Sequence, residues 1–215
     1  YKFRHDQSVR HMNNGLNATE LAEVIKPTPE LAANWSTRGY YGTYNHNSKA
    51  VSQRYIGWYD ANPANLNPHI PTERGKRMVA AMGGADKVIA LAKAAMEQGD
   101  YRWSSDLLSQ LVFADATNAQ AKAMLADSFE QQGYQAESAL WRNMFLTGAQ
   151  ELRSGMSKGN TAVSLDLAAA IPTAMLLDSV ATRLMSEKVA GATSRFNFTF
   201  SDRNEKAAIT LSNGV

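Results

Sequence analysis

Apolar positions recur at helical spacing along most of this chain and alternate only near its end. Between residues 72 and about 156 the period predicts five helices, over 73–82, 86–98, 101–113, 119–132 and 135–153. Gly83-Gly84, Gly99-Asp100, Asp115-Ala-Thr-Asn118 and Gly133 punctuate them. An internal repeat runs through this block. Gly99 and Gly133 stand 34 residues apart, the tetratricopeptide period, and at that offset Leu91 meets Leu125, Ala92 meets Ala126, Leu107 meets Trp141 and Leu111 meets Phe145. Small alanines suit close helix pairs, and glycine suits a tight inter-helix turn. Two such pairs are fewer than a solenoid needs to stand alone, so the block should lean on another surface.

The first seventy residues carry shorter patterns. Phe3, Val9 and Met12 predict a helix with Gly15 as its C-terminal cap. Asn17-Ala-Thr-Glu20 is a capping box opening a helix over 21–25, which Pro27 ends. Thr28-Pro29 starts another, expected to carry Leu31, Ala32 and Trp35 inward and to stop near Gly39. Residues 40–45 read as a turn or short extended piece. Val51, Tyr55 and Trp58 then predict a helix over 48–58. Three prolines between residues 62 and 71 make that stretch a connector and a domain boundary.

Beyond residue 156 the character changes. Ser157-Lys-Gly-Asn160 reads as a linker, and 165–184 as two helices with Pro172 near the start of the second. Arg195-Phe-Asn-Phe-Thr-Phe200 alternates strictly and predicts a half-buried strand. Asp202-Arg-Asn204 is a turn, and 207–211 a second strand leading to Asn213-Gly214. The reading is a mainly α chain in three parts, 1–70, 71–156 and an α+β part at 157–215. Tyr1 follows no leader, and Asn-Gly is a turn signal with no further strand behind it, so the chain is expected to be an internal piece of a longer protein.

Composition narrows the function classes. The 215 residues are 44% hydrophobic and 20% charged, which is ordinary for a globular chain. A net charge of +2 with scattered cations argues against nucleic acid, and no apolar run is long enough for a membrane span. Without cysteine there is no disulfide or thiolate chemistry. His5, His11, His46 and His69 lack the spacings that gather imidazoles around one ion, and neither a phosphate loop nor a nucleophile elbow occurs. No catalytic residue and no metal ligand is assigned.

The densest stretch runs from Arg38 to Asn65, with six aromatics, His46 and three spaced cations. Two readings of it stand. With Lys49 and Arg54 nearby, His46 before a helix starting at Ser48 would favour an anion such as sulfate or phosphate. Alternatively His46 and Asn47 cap that helix, and Tyr40, Tyr41 and Trp58 are core. Trp103, Phe113, Trp141 and Phe145 read as core or interface. Phe196, Phe198 and Phe200 share one strand face, which would suit a lipid-sized cavity.

A family resemblance follows from these residues. Arg38-Gly-Tyr-Tyr-Gly-Thr, His46-Asn, Lys49-Ala-Val, Arg54-Tyr, Gly57-Trp-Tyr-Asp60 and Asn62-Pro-Ala-Asn65 resemble the end of the catalytic domain of bacterial zinc-dependent alkyl sulfatases, of the metallo-β-lactamase superfamily. His5-Asp-Gln7 with Arg10 resembles the preceding helix. Met82-Gly-Gly-Ala-Asp86, Gly99-Asp-Tyr-Arg-Trp103, Leu111-Val-Phe-Ala-Asp115, Gly133-Tyr-Gln-Ala-Glu-Ser138 and Thr147-Gly-Ala-Gln-Glu-Leu152 resemble that family's dimerisation domain. Residues 157–215 are similar to the opening of its sterol-carrier-like domain. The resemblance implies hydrolysis of alkyl sulfate esters at a two-zinc site, a homodimer, and a periplasmic or secreted bacterial enzyme. The family's zinc ligands match no position here and are expected upstream of residue 1, leaving Tyr41, His46 and Arg54 as candidate substrate-binding residues. A non-enzymatic tetratricopeptide-like interaction module is the rival reading.

Overall fold

The computed structural model describes residues 1–156 and 165–214. They fall into two compact units, Tyr1–Ser157 and Lys158–Val215. The linker expected at 157–160 lies outside the described residues.

Helix α1 spans Lys2–Asn13 and ends where its sequence said it would. Gly15 takes φ +88°, its N–H reaches the Met12 carbonyl, and the Leu16 N–H reaches that of His11 at 3.1 Å. Those two bonds satisfy carbonyls the helix would otherwise leave bare. In α2, Ala18–Val24, the Asn17 side chain accepts from the Thr19 and Glu20 N–H groups, and Glu20 accepts from the Asn17 N–H at 2.8 Å.

Helix α3, Pro29–Ala33, begins on its expected Thr28 cap but stops well short of Gly39. Asn34 ends it: its side chain accepts from the Ser36 N–H and hydroxyl, giving the backbone an alternative to another helical turn. Trp35 consequently lies in a short 3-10 turn and is 72% exposed, not inward, and Ala32 is exposed as well.

Helix α4, Tyr44–Tyr55, starts four residues earlier than the apolar pattern indicated. Thr43 is its cap, accepting from the His46 N–H at 2.8 Å, so His46 sits inside the first turn rather than before it. The buried face is also not the expected one. Ser48 and Ser52 are the buried residues, whereas Tyr55 and Trp58 are exposed. Together with fully buried Ser8 of α1, these small side chains mark the packed faces of α1 and α4. Ser8 and Ser48 spend their hydroxyls on carbonyls one turn back, Arg4 and Tyr44, so burial strands neither.

The proline-rich stretch holds one short 3-10 turn, Pro63–Asn65. Helices α5 (Pro71–Ala81), α6 (Ala85–Glu97), α7 (Tyr101–Ala114), α8 (Ala119–Gln135) and α9 (Ala139–Ser154) follow. Asp100, Asn118 and Ser138 cap the last three with their side chains. Helix α7 packs against α5, α6 and α8, and α8 against α9, around a core of Val88, Ala92, Leu107, Leu108, Leu111, Ala121 and Leu125.

The repeat holds at its alanines and fails at its glycines. Ala92 and Ala126 are both fully buried. Gly99 closes α6 at φ +75°, but Gly133 is helical, because α8 continues to Gln135 and turns only at Ala136–Ser138. Gly133 serves packing: a Cβ there would stand 3.0 Å from Leu146 of α9.

In the second unit, α10 (Leu165–Ala170) and α11 (Thr173–Ala181) precede an antiparallel hairpin, β1 (Ser194–Phe200) with β2 (Glu205–Leu211). Phe196 faces Ile209 and Phe198 faces Ala207. Arg203, in the hairpin turn, donates to the Ala169 and Ile171 carbonyls at 2.5 and 2.6 Å, covering the C-terminal end of α10.

Gly75 sets the α5–α7 distance, since an added Cβ would lie 2.5 Å from the Gln110 carbonyl oxygen. Gly75→Ala is expected to destabilise the chain by about 1–3 kcal/mol in urea unfolding, because the obstacle is backbone. Gly148→Ala, whose Cβ would meet only the Phe129 ring at 3.3 Å, is expected to cost less. A Gly75→Ala protein as stable as the parent would mean that these helices do not pack so closely.

Candidate functional site

The start of α9 holds the loop between residues 38 and 43 by three successive contacts. Glu137 pairs with Arg38, the Ser138 hydroxyl donates to the Tyr41 carbonyl at 2.5 Å, and the Ala139 N–H donates to the Tyr40 carbonyl at 2.7 Å. The same Ser138 oxygen accepts from the Trp141 N–H at 3.4 Å. Ser138 is only 1% exposed, so its hydroxyl would be left stranded without these bonds. The Arg38–Glu137 pair is about half exposed and adds little stability by itself.

Between this joint and α1 lies a cavity of about 1110 Å³. Leu31, Val51, Leu140 and Met144 give it an apolar wall, and Lys2, Arg4 and Arg38 bring three cations against the single carboxylate of Asp6. The Arg4 guanidinium lies 4.5 Å from the centre of the Tyr44 ring, and its Nε is buried with no hydrogen-bond partner. Asp6 is held below the usual carboxylate range, first by its hydrogen bond with His5 and then by Lys2. Because a carboxylate only accepts, His5 presents Nδ1–H to Asp6 at 2.9 Å, and its Nε2 shares a hydrogen bond with the Tyr55 hydroxyl at 2.8 Å.

Tyr41 and His46 both line this cavity. His46 accepts on Nδ1 from the Trp141 indole N–H at 3.2 Å, and the Lys49 ammonium stands 5.9 Å from the Trp141 ring centre. Arg54, eight residues further along α4, is exposed and does not line the cavity. Arg4, Trp141 and Met144 were not marked as site residues by the sequence. Trp141 had no local signal at all, since its partner lies 95 residues away. His11 and His69 lie outside the cavity lining, and among the described residues no three His, Asp or Glu side chains gather to hold a metal ion.

The second unit has its own cavity of about 810 Å³, lined by Leu177, Val180 and Leu184 and by Phe196, Phe198, Ile209 and Leu211 of the hairpin. Phe200 shares their strand face but does not line it; its ring stacks on Phe198 instead. Among the described residues no helix is long and apolar enough to cross a membrane.

Ser138→Ala removes an N-terminal cap and leaves the Tyr41 carbonyl without its buried donor. It is expected to lower the unfolding free energy by about 1–3 kcal/mol in chemical denaturation, more than an exposed cap would. An unchanged value would remove Ser138 from its place at this joint.

Comparison with known proteins bears on this geometry. Residues 17–155 match the family model "Alkyl sulfatase dimerisation", and 161–215 match "Alkyl sulfatase C-terminal". An alkyl/aryl-sulfatase of Saccharomyces cerevisiae, BDS1, is 46% identical over 213 residues, 99% of this chain and 33% of its own length. An (R)-specific secondary-alkylsulfatase of Pseudomonas sp. is 46% identical over 216 residues, again covering 33% of that protein. The solved structure of the stereoselective inverting sec-alkylsulfatase Pisa1 from Pseudomonas sp. superposes with a TM-score of 0.93 at 45% identity, covering all of this chain and 34% of the other. The chain thus spans about a third of the length of the relatives it matches. With a family model covering most of its residues and a matching fold at this identity, the chain belongs to the alkyl sulfatase dimerisation family.

Proposed function

We propose that this chain is part of an enzyme hydrolysing alkyl sulfate esters to alcohol and sulfate, and that the cavity beside α9 forms part of its substrate-pocket wall. One observation carries the reading: the cavity sets cations and hydrogen-bonding groups directly against an apolar wall. An alkyl sulfate needs both. Its sulfate suits Arg4, with an unpartnered buried Nε, together with the Tyr41 hydroxyl and a His46 N–H. Its chain suits Leu31, Val51, Leu140 and Met144, each buried methylene contributing about 0.8 kcal/mol. Arg54 would then act from outside the lining, as a longer-range positive charge.

The two zinc ions that the family resemblance implies do not fit the described residues, which bring no ligand cluster together. We assign their ligands to other parts of the whole protein. The helices α5–α9 would supply the homodimer contact, with Trp103 and Phe113 exposing about half their surface as apolar anchors. The apolar cavity of the second unit would hold aliphatic chain, as a sterol-carrier-like domain would. The comparisons favour this reading over a non-enzymatic interaction module, because the relatives named above are sulfatases.

Titrating the isotopically labelled 215-residue chain with octyl sulfate below its micelle concentration should shift resonances of Arg4, Tyr41 and His46. The same concentration of octanol should shift them less. The isolated chain should leave dodecyl sulfate intact even with added zinc. Shifts confined to other surfaces would sink the pocket-wall assignment, and turnover would show that the zinc ligands are present here after all. In sedimentation, a strict monomer at high concentration would count against dimerisation through α5–α9.

A further inference from the structure

Trp141 of α9 and His46 of α4 both lie in the part of the chain matched by the dimerisation model, and the Trp141 indole lines the cavity and meets His46 there. The chemistry of that contact is one-directional. An indole N–H can only donate, so Nδ1 of His46 must accept and therefore carries no proton. A neutral imidazole has one proton, which the contact places on Nε2. Among the described residues no protein group accepts a hydrogen bond from that Nε2. We propose that Trp141 is a positioning residue: it holds His46 as the Nε2–H tautomer, so that His46 presents a fixed N–H donor to an anionic group in the cavity. This inference rests on the alkyl sulfate reading for the identity of the anion, but not for the tautomer.

Three further contacts keep the indole in place. Its backbone N–H is tied to Ser138, whose hydroxyl is buried against the Tyr41 carbonyl. Phe145 meets the Trp141 ring edge-on, with centroids 6.3 Å apart and planes at 84°. The Lys49 ammonium over the ring draws electron density from the indole and strengthens its N–H as a donor. The His46 backbone N–H is already committed to Thr43, so the imidazole ring supplies the only donor of this residue that can face a ligand. Without the indole, the two neutral tautomers would interconvert, and the Nδ1–H form would offer an acceptor where the anion needs a donor.

The test is imidazole nitrogen spectroscopy on the 215-residue chain at neutral pH, with octyl sulfate as probe. The parent should show His46 in the Nε2–H form, with a Trp141 indole proton shifted by hydrogen bonding and slow to exchange. Trp141→Phe keeps an aromatic ring at this position and removes the N–H donor, so it should populate both tautomers and bind octyl sulfate about three- to tenfold more weakly. A parent with the proton on Nδ1 overturns the proposal, and so does a Trp141→Phe protein with an unchanged His46 spectrum. If the tautomer responds as expected but neither protein binds octyl sulfate, the tautomer lock stands and the alkyl sulfate reading fails. Should Trp141→Phe not fold, the parent spectrum decides: a freely exchanging indole proton refutes the lock, and a protected one with Nε2–H on His46 supports it.

Discussion

One buried hydroxyl, that of Ser138, sits at the joint between α9 and the loop before α4. Ser138 caps α9, fixes the Tyr41 carbonyl, and holds the backbone of Trp141 with the same oxygen. Two of the groups proposed for the cavity depend on that joint. Tyr41 enters through the loop that Ser138 and Ala139 hold, and His46 through the indole that Ser138 anchors. A hydroxyl both donates and accepts, so Ser138 can bond the Tyr41 carbonyl and the Trp141 N–H at once, and burial makes each bond costly to lose.

Close packing by small residues is the second theme. Ser8, Ser48 and Ser52 lie on the packed faces of α1 and α4, Gly75 brings α5 to α7, and Gly133 brings α8 to α9. Each substitutes proximity for apolar bulk, with the Ser8 and Ser48 hydroxyls turned back onto their own helices where they would otherwise be stranded. Aromatic side chains are thereby freed from the core. Tyr41, Tyr55, Trp58 and Trp103 are all more than half exposed, available for contacts beyond their own helices.

Charge in the cavity is arranged unevenly. Lys2 and Arg38 have carboxylate partners, whereas Arg4 stacks on Tyr44 and keeps a buried nitrogen unpartnered. An unsatisfied guanidinium nitrogen next to an apolar wall is a poor way to stabilise a fold. A cross-link elsewhere, Arg102 with Glu23 at 2.8 Å, ties α2 to α7 and holds the Glu23 carboxyl below its ordinary range. The N-terminal helices are thus joined to the later ones at more than one point.

The sequence by itself determined the helices, their order and most of their ends. Capping boxes, glycine stops and apolar periods act within a few residues, so Asn17, Glu20, Gly15, Asp100 and Pro172 could be read directly. It also carried the family, through ordered motifs spread along the chain. It misplaced what local signals leave ambiguous: Thr43 took the cap expected of His46 and Asn47, Asn34 cut α3 short, and Gly133 proved to be a packing site rather than a turn. Tertiary structure alone decided the cavity, because its walls come from residues more than ninety positions apart. Neither the pairing of His46 with Trp141 nor that of Tyr41 with Ser138 leaves a trace in local periodicity, since such contacts depend on where helices meet in space.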